Sequence, residues 1–328
     1  MEQLSSNFPS GAQKFGFLTD THFDFKFACR KDDALETLID KARQCYAWFR
    51  ERGCSFVVHC GDVFDRHRIY NFDLIARVRR VFVESGLKTY YILGQHDLQG
   101  YNPKSLGQSN LGFVDAISDG ALSLIEDEAE VGGYRFVASH VNIDPAERID
   151  AIRGRGDGKP VVVLCHALLA DQRDAFGTIS IRHFKNPNVQ LVLSGDLHDG
   201  VAFQEANGIQ FYNPGSLCRD ARTHRRPKAG ALRWNGERFE LEEFFPECPD
   251  AEEIFFWDDG ADAVPKTAAV LREERPEAAG DKSFVEAFRD FRSEAKDIYE
   301  LLEKIGRKNG VRAEILELIK RHKDKAEK

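Results

Sequence analysis

The sequence predicts an α/β fold. Three observations carry that prediction. Short apolar runs alternate with amphipathic segments over the first hundred residues, hairpin-type strands with turn dipeptides take over after Val201, and polar residues cluster just past the ends of the apolar runs.

The elements follow in order. Lys14–Thr19 is a strand rich in aromatics. Asp32–Arg52 places Leu35, Leu38, Ile39, Ala42, Cys45, Tyr46 and Phe49 at helical spacing, with Asp32 or Asp33 as N-cap and Gly53 just past the end. Ser55–Cys60 is a buried strand, Asp73–Glu84 a second helix and Lys88–Leu93 a third strand. Arg135–Ser139, Val161–Cys165 and Val189–Ser194 are three further apolar strands. Val201–Phe203, Ile209–Tyr212, Ala229–Trp234 and Phe239–Phe244 are separated by turn signals, among them Asn207-Gly208 and the hairpin dipeptide Asn235-Gly236, so this half of the core reads as antiparallel.

Residues 1–245 form the core. Residues 246–282, with four prolines and two acidic clusters, read as a linker or a small irregular subdomain. In 283–328 a capping box (Ser283, Glu286) precedes apolar residues at steps of three and four, from Phe284, Phe288 and Phe291 to Ile298, Leu301 and Ile305. Gly306 and Asn309-Gly310 interrupt the pattern, which Val311, Ile315 and Leu318 resume, so the tail reads as a helical hairpin with an apolar stripe.

Composition narrows the class. The 328 residues carry 46 Lys and Arg against 54 Asp and Glu, a net charge of −8, which argues against charge-driven nucleic-acid binding over the whole surface but leaves room for a local basic patch. Seven cysteines without a CxxC pair suit a reducing cytoplasm and exclude a thiolate zinc site. No apolar run approaches the roughly 20 residues of a membrane span, and the first residues lack the apolar stretch of a secretory signal.

The chemistry sits where strands end. Asp20-Thr-His22, Gly61-Asp62-Val-Phe-Asp65, Gly94-Gln95-His96-Asp97, His166 and Gly195-Asp196-Leu-His198 each follow an apolar strand, the edge at which α/β sheets bind ligands. Any one of these is weak evidence; five are not coincidence. The donors are carboxylate, imidazole and amide, suited to Mn²⁺, Fe²⁺, Mg²⁺ or Zn²⁺, and they are too many for one ion. Two ions about 3.5–4 Å apart can activate water and clamp both oxygens of a phosphoryl displacement.

In order and spacing these five segments resemble the motifs of the calcineurin-like metallophosphoesterases, over residues 14–216. The resemblance implies a four-layer α/β/β/α sandwich. It also implies roles: Asp20, His22, Asp62 and His198 on the first metal; Asp62, Gln95, His166 and Asp196 on the second; His96 as general acid, oriented by Asp97. The Phe64 variant of the second motif and the segment Asn213-Pro-Gly-Ser216 resemble the DNA-repair nuclease branch, that is, the SbcD-like exonuclease subunit and the recombination endonuclease subunit of large phages. That implies a DNA exonuclease or endonuclease subunit working in recombination and repair, in the cytoplasm (the host's, if phage-encoded), with a homodimer as one assembly open to it. The tail 283–328 would grip the coiled-coil root of an SMC-like ATPase. The family usually has Asn at Gln95 and His at Asp196; the substitutions make the second site richer in oxygen and favour Mn²⁺, or Mg²⁺, over Zn²⁺. A decayed second site, and with it a DNA-clamping scaffold without catalysis, is the opposite reading. A phosphoesterase for nucleotides or phosphoproteins is a third.

Outside the motifs, Arg66, with His67 and Arg68, and the basic run Arg219, Arg222, Arg225, Arg226 and Lys228 are candidates for DNA phosphates, against the plain alternative of a solvated face. His59 and Cys60 read as packed core, His224 as surface, and His140 as either a strand-end histidine or a support of the site. Phe255, Phe256 and Trp257 read as a cap on the core or a docking patch.

Overall fold

A computed structural model describes residues 12–256, apart from 26, 28, 29, 70, 155–157, 171–177 and 220–223. The linker beyond 256 and the tail 283–328 therefore lie outside the described residues.

Two six-stranded sheets form the core. The first has the order β14-β13-β1-β2-β3-β4, from Phe239–Phe244 (β14), Ala229–Trp234 (β13), Phe15–Leu18 (β1), Phe56–His59 (β2), Thr89–Tyr91 (β3) and Leu122–Leu124 (β4). The second has the order β11-β12-β10-β7-β6-β5, from Val201–Ala206 (β11), Ile209–Asn213 (β12), Leu191–Gly195 (β10), Val161–His166 (β7), Tyr134–Ser139 (β6) and Glu128–Val131 (β5). Leu169–Ala170 (β8) and Ile179–Ser180 (β9) pair separately. In both sheets a parallel centre carries antiparallel margins: β1 through β4 run parallel, β13 pairs antiparallel with β1 and β14 antiparallel with β13, while β6, β7, β10 and β12 run parallel and β5 and β11 pair antiparallel at the edges.

Alternation along the strands separates three apolar layers. Phe15, Phe17, Phe56 and Val58 meet Tyr134, Phe136, Val162, Leu164, Leu191 and Leu193 between the sheets. Leu18 and Val57 face the other way, onto the helices Ala34–Glu51 (α1), Phe72–Ser85 (α2) and Asn110–Ala116 (α3). Val161, Val163, Cys165 and Val192 face outward onto Ile149 of Pro145–Ala151 (α4) and onto Ile181 and Phe184. The result is an α/β/β/α sandwich, as expected.

Local chemistry explains the boundaries. Asp33 caps α1 by accepting from the Glu36 amide, and the apolar spacing read from the sequence is its buried face. Gly16 lets the Phe49 ring lie on β1, where a Cβ would come within 2.7 Å of that ring. Asn207 (φ 55°) and Gly208 (φ 78°) make the two-residue turn between β11 and β12.

The antiparallel reading of the second half needs correction. β11 and β12 form the expected hairpin, but β12 lies parallel to β10, because the chain crosses over through β11 before returning. The dipeptides report only their own local pairing.

Candidate metal centre

Every predicted ligand motif lies at the carboxyl end of a parallel strand: β1, β2 and β3 of one sheet, β7 and β10 of the other. The loops after β1 and β2 are zipped together: His22 N donates to Asp62 O (3.0 Å) and Phe23 N to Val63 O (2.9 Å). The loop after β12 closes the other side, with Ser216 N donating to His198 O (3.0 Å) and Ser216 Oγ to Asp20 O (3.0 Å). Thus the segment Asn213-Pro-Gly-Ser216 holds His198 against Asp20.

The backbone here is under strain. Asp20, His22, Asp62 and Asp196 all have positive φ, of 50°, 44°, 54° and 76°. Such conformations cost roughly 1–3 kcal/mol each in non-glycine residues and persist where surrounding structure enforces them, as at functional sites. Gly94 is required by contact, since a Cβ there would lie 2.1 Å from Asp62 Oδ1.

The side chains converge. His22 Nε2 lies 3.2 Å from His198 Nε2, and Asp20 Oδ1 lies 3.7 Å from the first and 3.8 Å from the second. His166 Nε2 is 3.3 Å from Asp62 Oδ2 and 4.0 Å from Asp196 Oδ1. Gln95 Nε2 donates to Asp196 Oδ1 over 2.7 Å. Two donor groups result, Asp20, His22 and His198 beside Asp20, Asp62 and His166, and a third set, His22, Asp62 and His96, overlaps them.

These donors fit divalent ions. Asp62 Oδ2, Gln95 Oε1 and His166 Nε2 are buried without a hydrogen-bond partner. His166 donates Nδ1–H to Cys60 O (2.5 Å), which leaves Nε2 as the lone-pair nitrogen of the neutral ring. Burial resists charge on both His22 and His166, yet the carboxylates around them push both strongly toward protonation. Burial likewise opposes ionisation of Asp62, but His166, His22 and His96 hold it below the usual carboxylate range. A cluster that gathers protons in this way has the field to hold cations instead. Asp20, His22 and His198 would hold one ion, and Asp62, Gln95, His166 and Asp196 the other, with Asp62 facing both.

Asp97 requires a correction. Its carboxylate makes no bond to the His96 imidazole. It accepts from the amides of Asp62 (2.9 Å), Val63 (3.0 Å) and Gly94 (3.0 Å), and so pins the two ligand loops together. Burial, and after it the charge of Asp62, pushes its own pKa up. The partner of His96 is Asp65, whose main-chain oxygen accepts from His96 Nδ1. His96 N in turn donates to Asp62 Oδ1 (2.8 Å), and its side chain is 41% exposed.

Among the other candidates, Arg66 shares a cavity of about 440 Å³ with Asp65, Gln95, His96 and Tyr101. Arg225 and Arg226 are exposed, Arg219 Nε donates to His224 O, and Lys228 is tied to Glu243. Arg222 lies outside the described residues. His224 is not a free surface histidine: its ring packs edge-on against His198 at 5.3 Å. His140 is a support, accepting from Leu93 N and donating to Glu126 O. His59 is core: Thr21 spends its proton on Val63 O, so His59 Nε2 donates to Thr21, and burial holds its pKa down at about 3. Phe255 is buried as a cap, Phe256 is exposed, and Trp257 is outside the described residues. Sequence reasoning missed Lys41, Asp24 and Tyr101. Lys41 is a buried charge on α1 and Asp24 one in the loop after β1, a signal visible only once the elements are placed.

The calcineurin-like phosphoesterase family model matches residues 13–200, more than half of the chain, and the chain belongs to that family. Similar solved structures include TT1561 of Thermus thermophilus (15% identity, 70% of this chain and 98% of that one, TM-score 0.49). A dimetal phosphatase from Danio rerio shows 13% identity, covers 73% of this chain and 100% of its own, and has a TM-score of 0.46. A 5'-nucleotidase precursor from Thermus thermophilus shows 13% identity, with 74% of this chain and 57% of that one covered and a TM-score of 0.42. No curated protein matches the sequence. Among the described residues, no helix is long and apolar enough to cross a membrane.

Proposed function

We propose that this chain is a two-metal phosphodiesterase that cleaves DNA, the nuclease subunit of an SbcCD-like recombination and repair complex. The observation that carries the phosphodiesterase reading is the pair of adjoining donor groups sharing Asp20, with Asp62 between them and half-exposed His96 at their rim. When bound, divalent ions supply an activated water and neutralise the charge of a phosphodiester. His96, with Nδ1 spent on the Asp65 carbonyl, keeps Nε2 to hold the proton that the leaving oxygen needs. Asp97 fixes the loops that carry Asp62 and His96.

The DNA reading is supported by where the cations lie. Arg66 lines the cavity beside His96, and Arg219, Arg225 and Arg226 are close in sequence to His224, whose ring packs against His198, despite the acidic whole. Manganese fits the oxygen-rich second set. The apolar stripe of 283–328 supports an SMC-like ATPase as partner.

The experiment is a metal titration of stripped protein on end-labelled linear duplex DNA. Manganese-dependent cleavage that His96→Ala removes is expected. Activity confined to small chromogenic diesters would favour a nucleotide or phosphoprotein esterase, and DNA binding without cleavage a scaffold.

A further inference from the structure

Arg66 and Tyr101 line the same cavity as His96, and neither is among the donors of the metal centre. Each has a feature that stability alone does not explain.

Arg66 is set in place by Asp24. That carboxylate is fully buried and takes the guanidinium in two bonds, Nε to Oδ2 at 2.6 Å and Nη2 to Oδ1 at 2.7 Å. A bidentate pair of this kind fixes the plane of the guanidinium as well as its position. The side chain is nonetheless 57% exposed. Nε and one N–H of Nη2 are engaged, and Nη1 has no protein partner among the described residues. A rigid guanidinium that keeps the Nη1 amino group uncommitted beside a cavity suits an anionic oxygen.

Tyr101 is 59% exposed and has φ of 60°, directly after Gly100 at 58°. A non-glycine residue in the left-handed region is unfavourable, and an exposed ring gains little burial in return. The loop still holds that conformation: Ser105 Oγ accepts from Gln99 N (2.9 Å) and donates to Asn102 O (2.6 Å). A constrained aromatic face and a constrained guanidinium on one cavity wall match a ligand with both a flat ring and a phosphate. The cavity volume falls within the range that small-molecule sites occupy.

We propose that Asp24-fixed Arg66 and Tyr101 form a nucleotide subsite beside His96, in which Arg66 Nη1 receives a phosphate oxygen and the Tyr101 ring stacks on the base. The proposal rests on the phosphodiesterase reading for its place next to the reacting phosphate. It names what that reading leaves open: the substrate flanks its phosphate with a nucleobase.

The test is calorimetric binding of deoxyadenosine 5'-monophosphate and of 2-deoxyribose 5-phosphate to the full chain, with Mn²⁺ and with chelator. The nucleotide should bind more tightly than the sugar phosphate. Tyr101→Ala should weaken the nucleotide about tenfold, the scale of one base–aromatic stack, and leave the sugar phosphate unchanged. Tyr101→Phe should retain wild-type affinity. Arg66→Ala should weaken both ligands, and Asp24→Asn, which keeps the volume but frees the guanidinium, should weaken both less. Equal affinity of the two ligands for wild type overturns the proposal. So does Tyr101→Ala that either spares the nucleotide or weakens both ligands alike. A chain that passes this test but leaves DNA uncut keeps the subsite and loses the nuclease reading. A chain that cuts DNA, with KM unmoved by Tyr101→Ala and Arg66→Ala, keeps the nuclease reading and loses the subsite.

Discussion

Gln95 donates its amide N–H to Asp196 Oδ1 over 2.7 Å, while its own Oε1 is buried without a partner. The two residues that depart from the family's usual pattern thus hold each other. The pairing spends part of the Asp196 charge on Gln95 and leaves Gln95 a buried, uncommitted carbonyl oxygen. We expect two Mn²⁺ ions of unequal affinity, the second weaker. Asp196→Asn, which removes the charge of a donor, should weaken the second site alone, by at least the roughly 10–100-fold that loss of a mere support around a metal ligand costs. Calorimetry with Mn²⁺ checks this. One tightly held Zn²⁺ with no Mn²⁺ response would contradict it.

His96 and Asp97 are neighbours in sequence with separate tasks, and their variants should separate accordingly. His96→Ala should keep both metals and lose about 10²–10⁴ in rate, the usual worth of a positioned general acid. Asp97→Asn presents an amide to the three N–H donors of Asp62, Val63 and Gly94. It should lower metal affinity as well as rate. Metal binding and single-turnover cleavage measured on both variants decide the matter; equal metal affinity in the two would return Asp97 to the role of orienting His96.

Asp97 also marks the limit of what the sequence discloses. The five ligand segments were readable because each is a polar cluster directly after an apolar strand, and those strands are buried enough to show as unbroken runs. The bonds of Asp97 run back 34 and 35 residues, and Asp24 meets Arg66 across 42; no periodicity reports such partners. The elements missed are short. The seven-residue helices α3 and α4 span barely two turns, too few for a helical period, although Ser109 and Asp144 cap them. β5 is the half-exposed margin strand Glu-Ala-Glu-Val, without an apolar run.

The tail offers a test independent of the centre. The spacing of Phe284, Phe288, Phe291, Ile298, Leu301 and Ile305 is read from the sequence as an apolar seam, and the stretch before it is proline-rich and acidic. Deleting 283–328 should leave a folded core with basal nuclease activity and abolish binding of an SMC-like ATPase. Phe288→Asp with Phe291→Asp should act likewise, since a charge carried into an apolar seam is strongly disfavoured. Gel filtration and pull-down with the ATPase check both. Aggregation of the truncated chain, or unchanged ATPase affinity, would assign the stripe to the core.

Lys41 gives a prediction about pH. It sits on α1, 2% exposed, and its ammonium donates to the carbonyls of Leu217 and Cys218, so it braces the loop that holds His198. Burial pushes its pKa down to about 8 from the ordinary 10.5. Between those values the unfolded chain keeps a proton that the folded chain has released, so the contribution of Lys41 to stability rises with pH across that window and is flat below it. The full shift corresponds to a contribution on the order of a few kcal/mol. Lys41→Met should abolish this part of the slope. At neutral pH it relieves the cost of the buried ammonium, and against that it leaves the Leu217 carbonyl without its donor, which costs roughly 1–3 kcal/mol. The Cys218 carbonyl keeps Arg30 Nη1 at 3.1 Å and should be spared. Urea unfolding of the two proteins at about pH 7.5 and about pH 9.5 supplies the comparison. A slope shared equally by both would mean that Lys41 holds the same proton folded and unfolded.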